Sequence, residues 1–245
     1  MSFLKKILLL CSVAVLFSFK ASKQNKLTIQ FKNYAGNAIL NLDSVYTNEL
    51  GQKFTPSNFK YYIGNISLKQ SDGKSFSSHD YFLVNEREDD SKQITLNGVP
   101  DGNYTSVEFI IGVDSLHNCS GVQSGALDPA NGMFWSWNTG YVFMKLEGRY
   151  FNRQNESKVF EYHIGGFKSP TNCIRKVHID FKGANLVLQK STSTLYLKAD
   201  IFQVLKQPKS IDFNMLPSVT DFHNATLIAD NYMDMFSFLD VKNEK

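Results

Sequence analysis

The chain has 245 residues, of which 42% are hydrophobic and 13% aromatic, and its formal net charge is +3. This length and composition allow one β-rich domain with a substantial core, or two small ones. A net charge so close to zero, without a basic stripe along the sequence, argues against a nucleic-acid-binding protein.

Residues 1–24 are predicted to form a secretory signal peptide rather than part of the fold. Two lysines precede the apolar run 7–19, which is shorter than the roughly 20 residues that a membrane-spanning helix needs. No later segment is long and apolar enough to span a membrane. We therefore expect a periplasmic or secreted protein whose residues 25–245 form a single domain. Cys11 lies within the apolar run without a good lipobox, so lipid anchoring is the less favoured alternative.

Alternation of apolar and polar residues is the main pattern after the leader, as in Leu27, Ile29 and Phe31. The 20 phenylalanines and 11 tyrosines also favour strands. Strands are predicted at 26–32, 39–46, 61–70, 81–84, 93–96, 104–113, 141–150, 158–164, 175–181, 185–189 and 194–205. So many short strands indicate an all-β fold, an antiparallel β-sandwich-like single domain. A short C-terminal helix is expected near 225–236.

One long loop interrupts the strands. Residues 115–139 are rich in Gly, Ser and Asn and have no strand pattern. Loops of this length are uncommon inside compact domains and tend to be functional. Motifs of common enzymes are missing: the sequence has no nucleophile elbow, no phosphate-binding Gly-rich loop and no H-E-x-x-H. We therefore expect a protein that is not an enzyme.

Both tryptophans lie in residues 132–148, GMFWSWNTGYVFMKLEG. In an extended segment, Trp135 and Trp137 would point to the same side. They either anchor the long loop on the core or line a site at its mouth, with Met133 as a soft neighbour.

A second unusual segment is FEYHIGGF, residues 160–167. On a strand, Phe160, Tyr162 and Ile164 share one face, whereas His163 points to the other, just before a Gly-Gly turn. A neutral imidazole there could bind a metal ion. A single histidine is more often a surface or hydrogen-bonded residue, and both interpretations remain open from the residues alone.

Removal of the leader leaves two cysteines, Cys119 and Cys173. An even pair in an exported chain predicts a disulfide, which would close a loop of about 55 residues and contribute roughly 4 kcal/mol. Two unrelated thiols are the alternative. A disulfide would draw the loop that carries His117 towards the region after His163.

The order of these motifs resembles the MbnP-like proteins, named for the periplasmic partner of the copper chelator methanobactin and related to secreted copper-binding proteins of methane oxidisers. The matching pieces are residues 27–31 (L-x-I-x-F), 61–68 (Y-Y-I-x-N-I-x-L), 112–114 (G-V-D), 133–148 (M-F-W-x-W-x-x-G-Y-x-F-x-K-L-E-G) and 162–166 (Y-H-I-G-G), followed by Cys173.

The resemblance implies an extracytoplasmic copper-binding protein, used in copper acquisition or handling, on a β-sandwich-like domain. In such proteins a partner enzyme of the di-haem peroxidase type can oxidise a tryptophan to kynurenine, which holds copper together with histidine. The matching tryptophan is Trp135 or Trp137, and the matching histidine is His163. His117 is the candidate second histidine, and Met133 could add a thioether, because cuprous ion favours imidazole and soft ligands.

Another class of function fits the same aromatic residues. A carbohydrate- or small-ligand-binding β-sandwich would use Trp135 and Trp137 as a stacking platform. A structural surface protein would use them only as core. Copper titration distinguishes a copper-binding protein from the ligand-binding and structural alternatives.

Overall fold

The computed structural model of the chain describes residues 24–135, 140–222 and 224–244. Residues 1–23 of the predicted signal peptide, and Trp137, lie outside them. In the described part, no helix is long and apolar enough to cross a membrane.

The described residues form fifteen strands and three short α-helices, besides four single-turn 3₁₀ helices. The strands are β1 (Lys26–Ala35), β2 (Ala38–Ile39), β3 (Tyr46–Thr47), β4 (Lys53–Gln70), β5 (Ser75–Asn85), β6 (Gln93–Asn97), β7 (Gly102–Ile111), β8 (Phe134–Trp135), β9 (Gly140–Phe151), β10 (Ser157–Gly165), β11 (Arg175–Asp180), β12 (Leu186–Leu188), β13 (Thr192–Asp200), β14 (Ser218–Val219) and β15 (Phe236–Glu244). The helices are α1 (Ser115–Asn118), α2 (Ile201–Val204) and α3 (Ala225–Tyr232).

The strands make two sheets. The smaller has the order β15-β13-β1, and both β2 and β6 pair with β1. The larger has the order β11-β7-β4-β9-β10-β14, with β12 beside β7, β3 and β5 beside β4, and β8 beside β9. The predicted all-β, sandwich-like fold is confirmed. Its antiparallel character needs a correction, because β1–β13 and β10–β14 are parallel pairs. Both pairs join strands far apart in the sequence, where no hairpin sets the direction.

The hydrophobic core lies between the two sheets. Leu27, Ile29 and Phe31 of β1 are buried, as their alternation predicts. The Phe31 ring packs edge-on against Tyr61 and Phe109 of the larger sheet, with ring centroids 6.1 and 6.0 Å apart. Such aromatic contacts add to the stabilisation from apolar burial. The inward faces of the strands therefore serve the core.

Several predicted strand boundaries are wrong. Strand β4 starts at Lys53 rather than near residue 61, since Pro56 is accommodated at an irregularity in its pairing with β9. The predicted strand 39–46 is only the ends β2 and β3, because Asp43 adopts a left-handed φ of 70° between them. The predicted strand 194–205 ends at Asp200, whose carboxylate accepts a hydrogen bond from Phe202 N and caps α2.

The end of the described chain contains a helix and a strand. The expected C-terminal helix is present as α3, although it is shorter than 225–236. Strand β15 follows it and completes the smaller sheet beside β13. This strand was not predicted from the sequence.

The long loop packs onto the outer face of the larger sheet. Tyr62 follows the core residue Tyr61 and points the other way, donating a hydrogen bond to Ala126 O at 2.9 Å. Tyr141 of β9 donates to Leu127 O at 2.7 Å. Side-chain contacts of this kind fasten the loop beside the start of β9, where Trp135 lies.

Candidate metal site

His163 lies on β10 with the orientation that the sequence predicts. Phe160, Tyr162 and Ile164 are completely buried in the core, whereas the His163 side chain is 18% exposed on the opposite face. Its Nε2 lies 2.5 Å from Oε1 of Glu147 on β9. His163 is thus a partly buried imidazole that is already engaged on one nitrogen.

Glu147 is held by polar groups on both sides. Asn58 Nδ2 donates to its Oε2 at 2.8 Å. The hydrogen bond with His163 is the main cause that lowers the pKa of Glu147 from 4.5 to about 2, with further lowering from Asn58 and from the charges of His163 and Lys145. Partial burial acts in the opposite direction and is outweighed. Glu147 is therefore a firmly ionised carboxylate beside His163.

Trp135 lies against the strand that carries His163. It is 7% exposed, and its strand β8 pairs with the start of β9 through Gly140. Its ring packs over Gly165, where a Cβ atom would come within 2.7 Å of Trp135 Cζ3 and 2.5 Å of Tyr141 O. Gly165 is two residues after His163, about 7 Å along a strand. Of the predicted site residues, the structure therefore brings Trp135 and His163 to the same part of β10.

Beside Trp135 lies an aromatic pocket of about 270 Å³. Its lining is Trp135, Gly140, Tyr141, Gly166, Phe167, Lys168, Thr171 and Phe222. Phe222 packs edge-on against Trp135, with ring centroids 5.5 Å apart. Sequence reasoning missed Phe222, because it comes from a distant segment without a motif. Phe167 lies in the FEYHIGGF segment and could have been found there.

His117 belongs to a separate cluster. Its Nδ1 lies 2.9 Å from Asp114 Oδ1, and the same oxygen accepts a hydrogen bond from His117 N. The Tyr81 ring packs against the imidazole at a centroid distance of 4.7 Å. Asp114 and Tyr81 thus fix His117 at the start of the long loop, and His117 does not line the Trp135 pocket.

Met133 is completely buried. Its carbonyl accepts a hydrogen bond from Val142 N at 2.9 Å, which fastens the end of the long loop to β9. In this arrangement the side chain belongs to the hydrophobic core rather than to an open face. Its role as a copper ligand stays a prediction.

The predicted disulfide is wrong in this structure, since Cys119 and Cys173 are both free thiols. Cys119 is exposed after α1, whereas Cys173 is buried, and burial raises the pKa of its thiol to about 12. The Cys173 thiol contacts Thr171 O at 3.5 Å, and the Tyr232 hydroxyl donates to the Cys173 carbonyl. A disulfide requires two cysteines that lie close together in space. An even number of cysteines in the sequence does not show whether they do. No disulfide therefore holds the His117 loop near the region after His163, contrary to what the sequence had led us to expect.

The described residues contain no group of three His, Cys, Asp or Glu side chains that could hold a metal ion. Of the predicted ligands, His163 lies on β10, and Trp135 of β8 packs over Gly165 of that strand. Trp137 lies outside the described residues.

Comparisons with known proteins place these features in a family. No functionally curated protein matches the chain in sequence. The structure of MbnP from Methylosinus trichosporium is similar, with a TM-score of 0.54 over 91% of this chain and 99% of that chain. At 12% sequence identity, this similarity shows the fold alone. The sequence model of the MbnP family matches residues 24–222, most of the chain. The chain therefore belongs to the MbnP family.

Proposed function

We propose that this chain is an extracytoplasmic copper-binding protein, not an enzyme, that takes part in copper acquisition or handling. The proposal draws on the family, on the predicted signal peptide and on the His163 imidazole at the outer face of the larger sheet. Imidazole nitrogen is a common ligand of copper in both oxidation states.

The observation that carries this proposal is the packing of Trp135 on Gly165, two residues beyond His163. An indole offers only an N–H donor and is a poor metal ligand. Kynurenine would instead offer an aryl amine and a ketone oxygen at the same place. A tryptophan modified here would add its donor atoms beside the strand that carries the imidazole.

The proposed partners are copper ion and a modifying enzyme of the di-haem peroxidase type. Trp135 is 7% exposed, so its conversion is expected to need a dedicated enzyme rather than adventitious oxidants. Trp135 lines the aromatic pocket, and we expect the enzyme to reach the ring from there.

The test uses protein purified from its native host, because a foreign host can lack the modifying enzyme. We expect bound copper by metal analysis, and a peptide containing residues 133–148 in which one tryptophan has exchanged a carbon for an oxygen. A Trp135→Phe variant should lose both signals, and Trp137→Phe is the parallel variant that assigns the modified residue. Protein from the native host that neither contains copper nor binds added cuprous ion would exclude the proposed function.

The aromatic pocket also supports a second candidate, binding of a small ligand. Phe167, Phe222 and Trp135 line it together with Lys168. Trp135 is nearly buried and offers little open surface to a sugar ring, so this observation favours a compact ligand inside the pocket over carbohydrate stacking. Binding of a small aromatic acid that Phe222→Ala abolishes, without any copper binding, would favour this candidate.

A further inference from the structure

Three polar side chains form a hydrogen-bonded row across the outer face of the larger sheet. Asn58 on β4 donates to Glu147 Oε2 at 2.8 Å, and His163 Nε2 lies 2.5 Å from Glu147 Oε1. Each oxygen of the carboxylate is therefore engaged by a different neighbouring strand. With 25% of the Glu147 side chain exposed and 18% of that of His163, the row is partly shielded from water.

Two irregularities in the sheet shape this row. The pairing of β4 with β9 shifts between Pro56 and Asn58, which brings Asn58 opposite Glu147. The pairing of β10 with β9 shifts between Ile164 and Gly165, one residue beyond His163. Bulges of this kind redirect side chains and are over-represented beside functional sites. The pairing of β9 is thus irregular with both of its neighbours, β4 and β10, close to the Glu147 row.

The same sheet contains a regular histidine–glutamate pair for comparison. His178 on β11 is directly opposite Glu108 on β7, and its Nδ1 lies 3.1 Å from Glu108 Oε1. The His178 side chain is 54% exposed, and Glu108 is shared with a lysine rather than an amide. The His178 pair shows what an ordinary cross-strand contact looks like here, and the side chains of His163 and Glu147 are more buried.

Hydrogen-bond chemistry decides how Glu147 acts on His163. An ionised carboxylate only accepts hydrogen bonds, and a neutral imidazole carries its proton on one nitrogen. The nitrogen that faces Glu147 must therefore be the N–H, and the other keeps its lone pair. Metal-bound histidines commonly donate their second ring N–H to a carboxylate, which fixes tautomer and ring orientation.

We propose that Glu147 is a positioning residue that keeps the His163 proton on Nε2 and presents Nδ1 as the nitrogen that binds copper. This inference rests on the proposed copper function and adds to it a donor atom and the residue that orients it. Asn58 in turn fixes Glu147 by engaging its second oxygen.

The first test reads the tautomer in metal-free protein at mildly alkaline pH. Two-bond proton–nitrogen correlation spectra of histidine-labelled protein should show His163 protonated at Nε2. Glu147→Ala should give a mixture of tautomers. Glu147→Gln, whose amide oxygen can still accept from Nε2–H, should keep the wild-type form. Glu108→Ala is the matched control and should change His178 only. A single Nε2–H tautomer in Glu147→Ala would overturn the inference.

The second test measures cuprous ion affinity by competition with a chelator, on protein from the native host. Glu147→Ala should bind about 10- to 100-fold more weakly than wild type, as is typical when the outer partner of a metal ligand is lost. Glu147→Gln should lose less, and Glu108→Ala nothing. Wild-type affinity in Glu147→Ala would exclude a positioning role. If neither wild type nor His163→Ala binds copper, the proposed function fails. If both bind copper equally, His163 is not a ligand and Nδ1 is excluded as the donor. In both cases the spectra still decide whether Glu147 fixes the tautomer.

Discussion

At the residue scale, one glycine accounts for the packing of Trp135 against β10, two residues beyond His163. A side chain at Gly165 would meet the carbonyl of Tyr141 and the ring of Trp135. Backbone atoms cannot move aside as a flexible side chain can, so only glycine fits between β9 and the indole. The absence of a Cβ atom at Gly165 is thus what permits the packing of Trp135.

Gly165→Ala should therefore destabilise the protein and displace Trp135. Overpacking of this kind typically costs about 1–3 kcal/mol, measurable by urea unfolding. In a Trp137→Phe background, the fluorescence of Trp135 should shift to longer wavelength as its ring becomes more hydrated.

Gly121→Ala is the control for this substitution. Gly121 has a left-handed φ of 74° and open space around the position of a Cβ atom, so its replacement costs about 1 kcal/mol of backbone strain without touching Trp135. An unchanged emission and stability in Gly165→Ala would mean that the indole does not pack on Gly165.

Part of the site could be predicted from the residues themselves. The two-residue period placed His163 opposite the core face, and the glycines after it marked a turn. Phe222 could not be found in this way, because its contact with Trp135 depends on the path of a distant segment. The pairing of Cys119 with Cys173 failed for the same reason, since a count of cysteines contains no tertiary information.

At the scale of secondary-structure elements, the alternation of apolar and polar residues predicted most strands. It failed where a proline or a helix-capping residue interrupts the pattern. The first half of β4 was not predicted because it contains Pro56. The apolar pattern after Asp200 belongs to α2, since the Asp200 side chain caps this helix. Strand β15 is partly exposed at a sheet edge, so its apolar alternation is weak. Its position depends on pairing with β13, a long-range contact that a local sequence pattern cannot predict.

The Asn58–Glu147–His163 row joins β4, β9 and β10, and it should make the stability of the sheet pH-dependent. The pKa of Glu147 is lowered in the folded protein from 4.5 to about 2. The ionised carboxylate therefore stabilises the fold above about pH 4.5, and this contribution is lost as the pH falls towards 2. The full contribution amounts to about 3 kcal/mol at most.

Urea unfolding of wild type and Glu147→Gln over this pH range checks the expectation. The wild type should be the more stable protein near neutral pH, and the difference between the two free energies of unfolding should close as the pH falls. A difference that stays constant down to low pH would show that ionised Glu147 contributes nothing specific to the fold.

At the scale of the whole molecule, the hydrophobic core and the proposed copper site lie on opposite faces of the larger sheet. The core lies between the sheets and includes Tyr162 and Ile164, whereas His163 lies between them in sequence and points outward. Removal of the imidazole should therefore leave the fold intact. This separation makes a loss of copper binding in such a variant interpretable as a loss of the site.

The most direct measurement is a cuprous ion titration of protein from the native host, comparing wild type, His163→Ala and His178→Ala. His178 is also paired with a cross-strand glutamate, but it lies on β11, at one end of the strand order and four strands away from β10. We expect wild type and His178→Ala to bind with the same affinity. His163→Ala should bind copper more weakly by orders of magnitude, because the described residues offer no group of ligands that could replace the imidazole. A folded His163→Ala variant that binds copper as tightly as wild type would contradict the account.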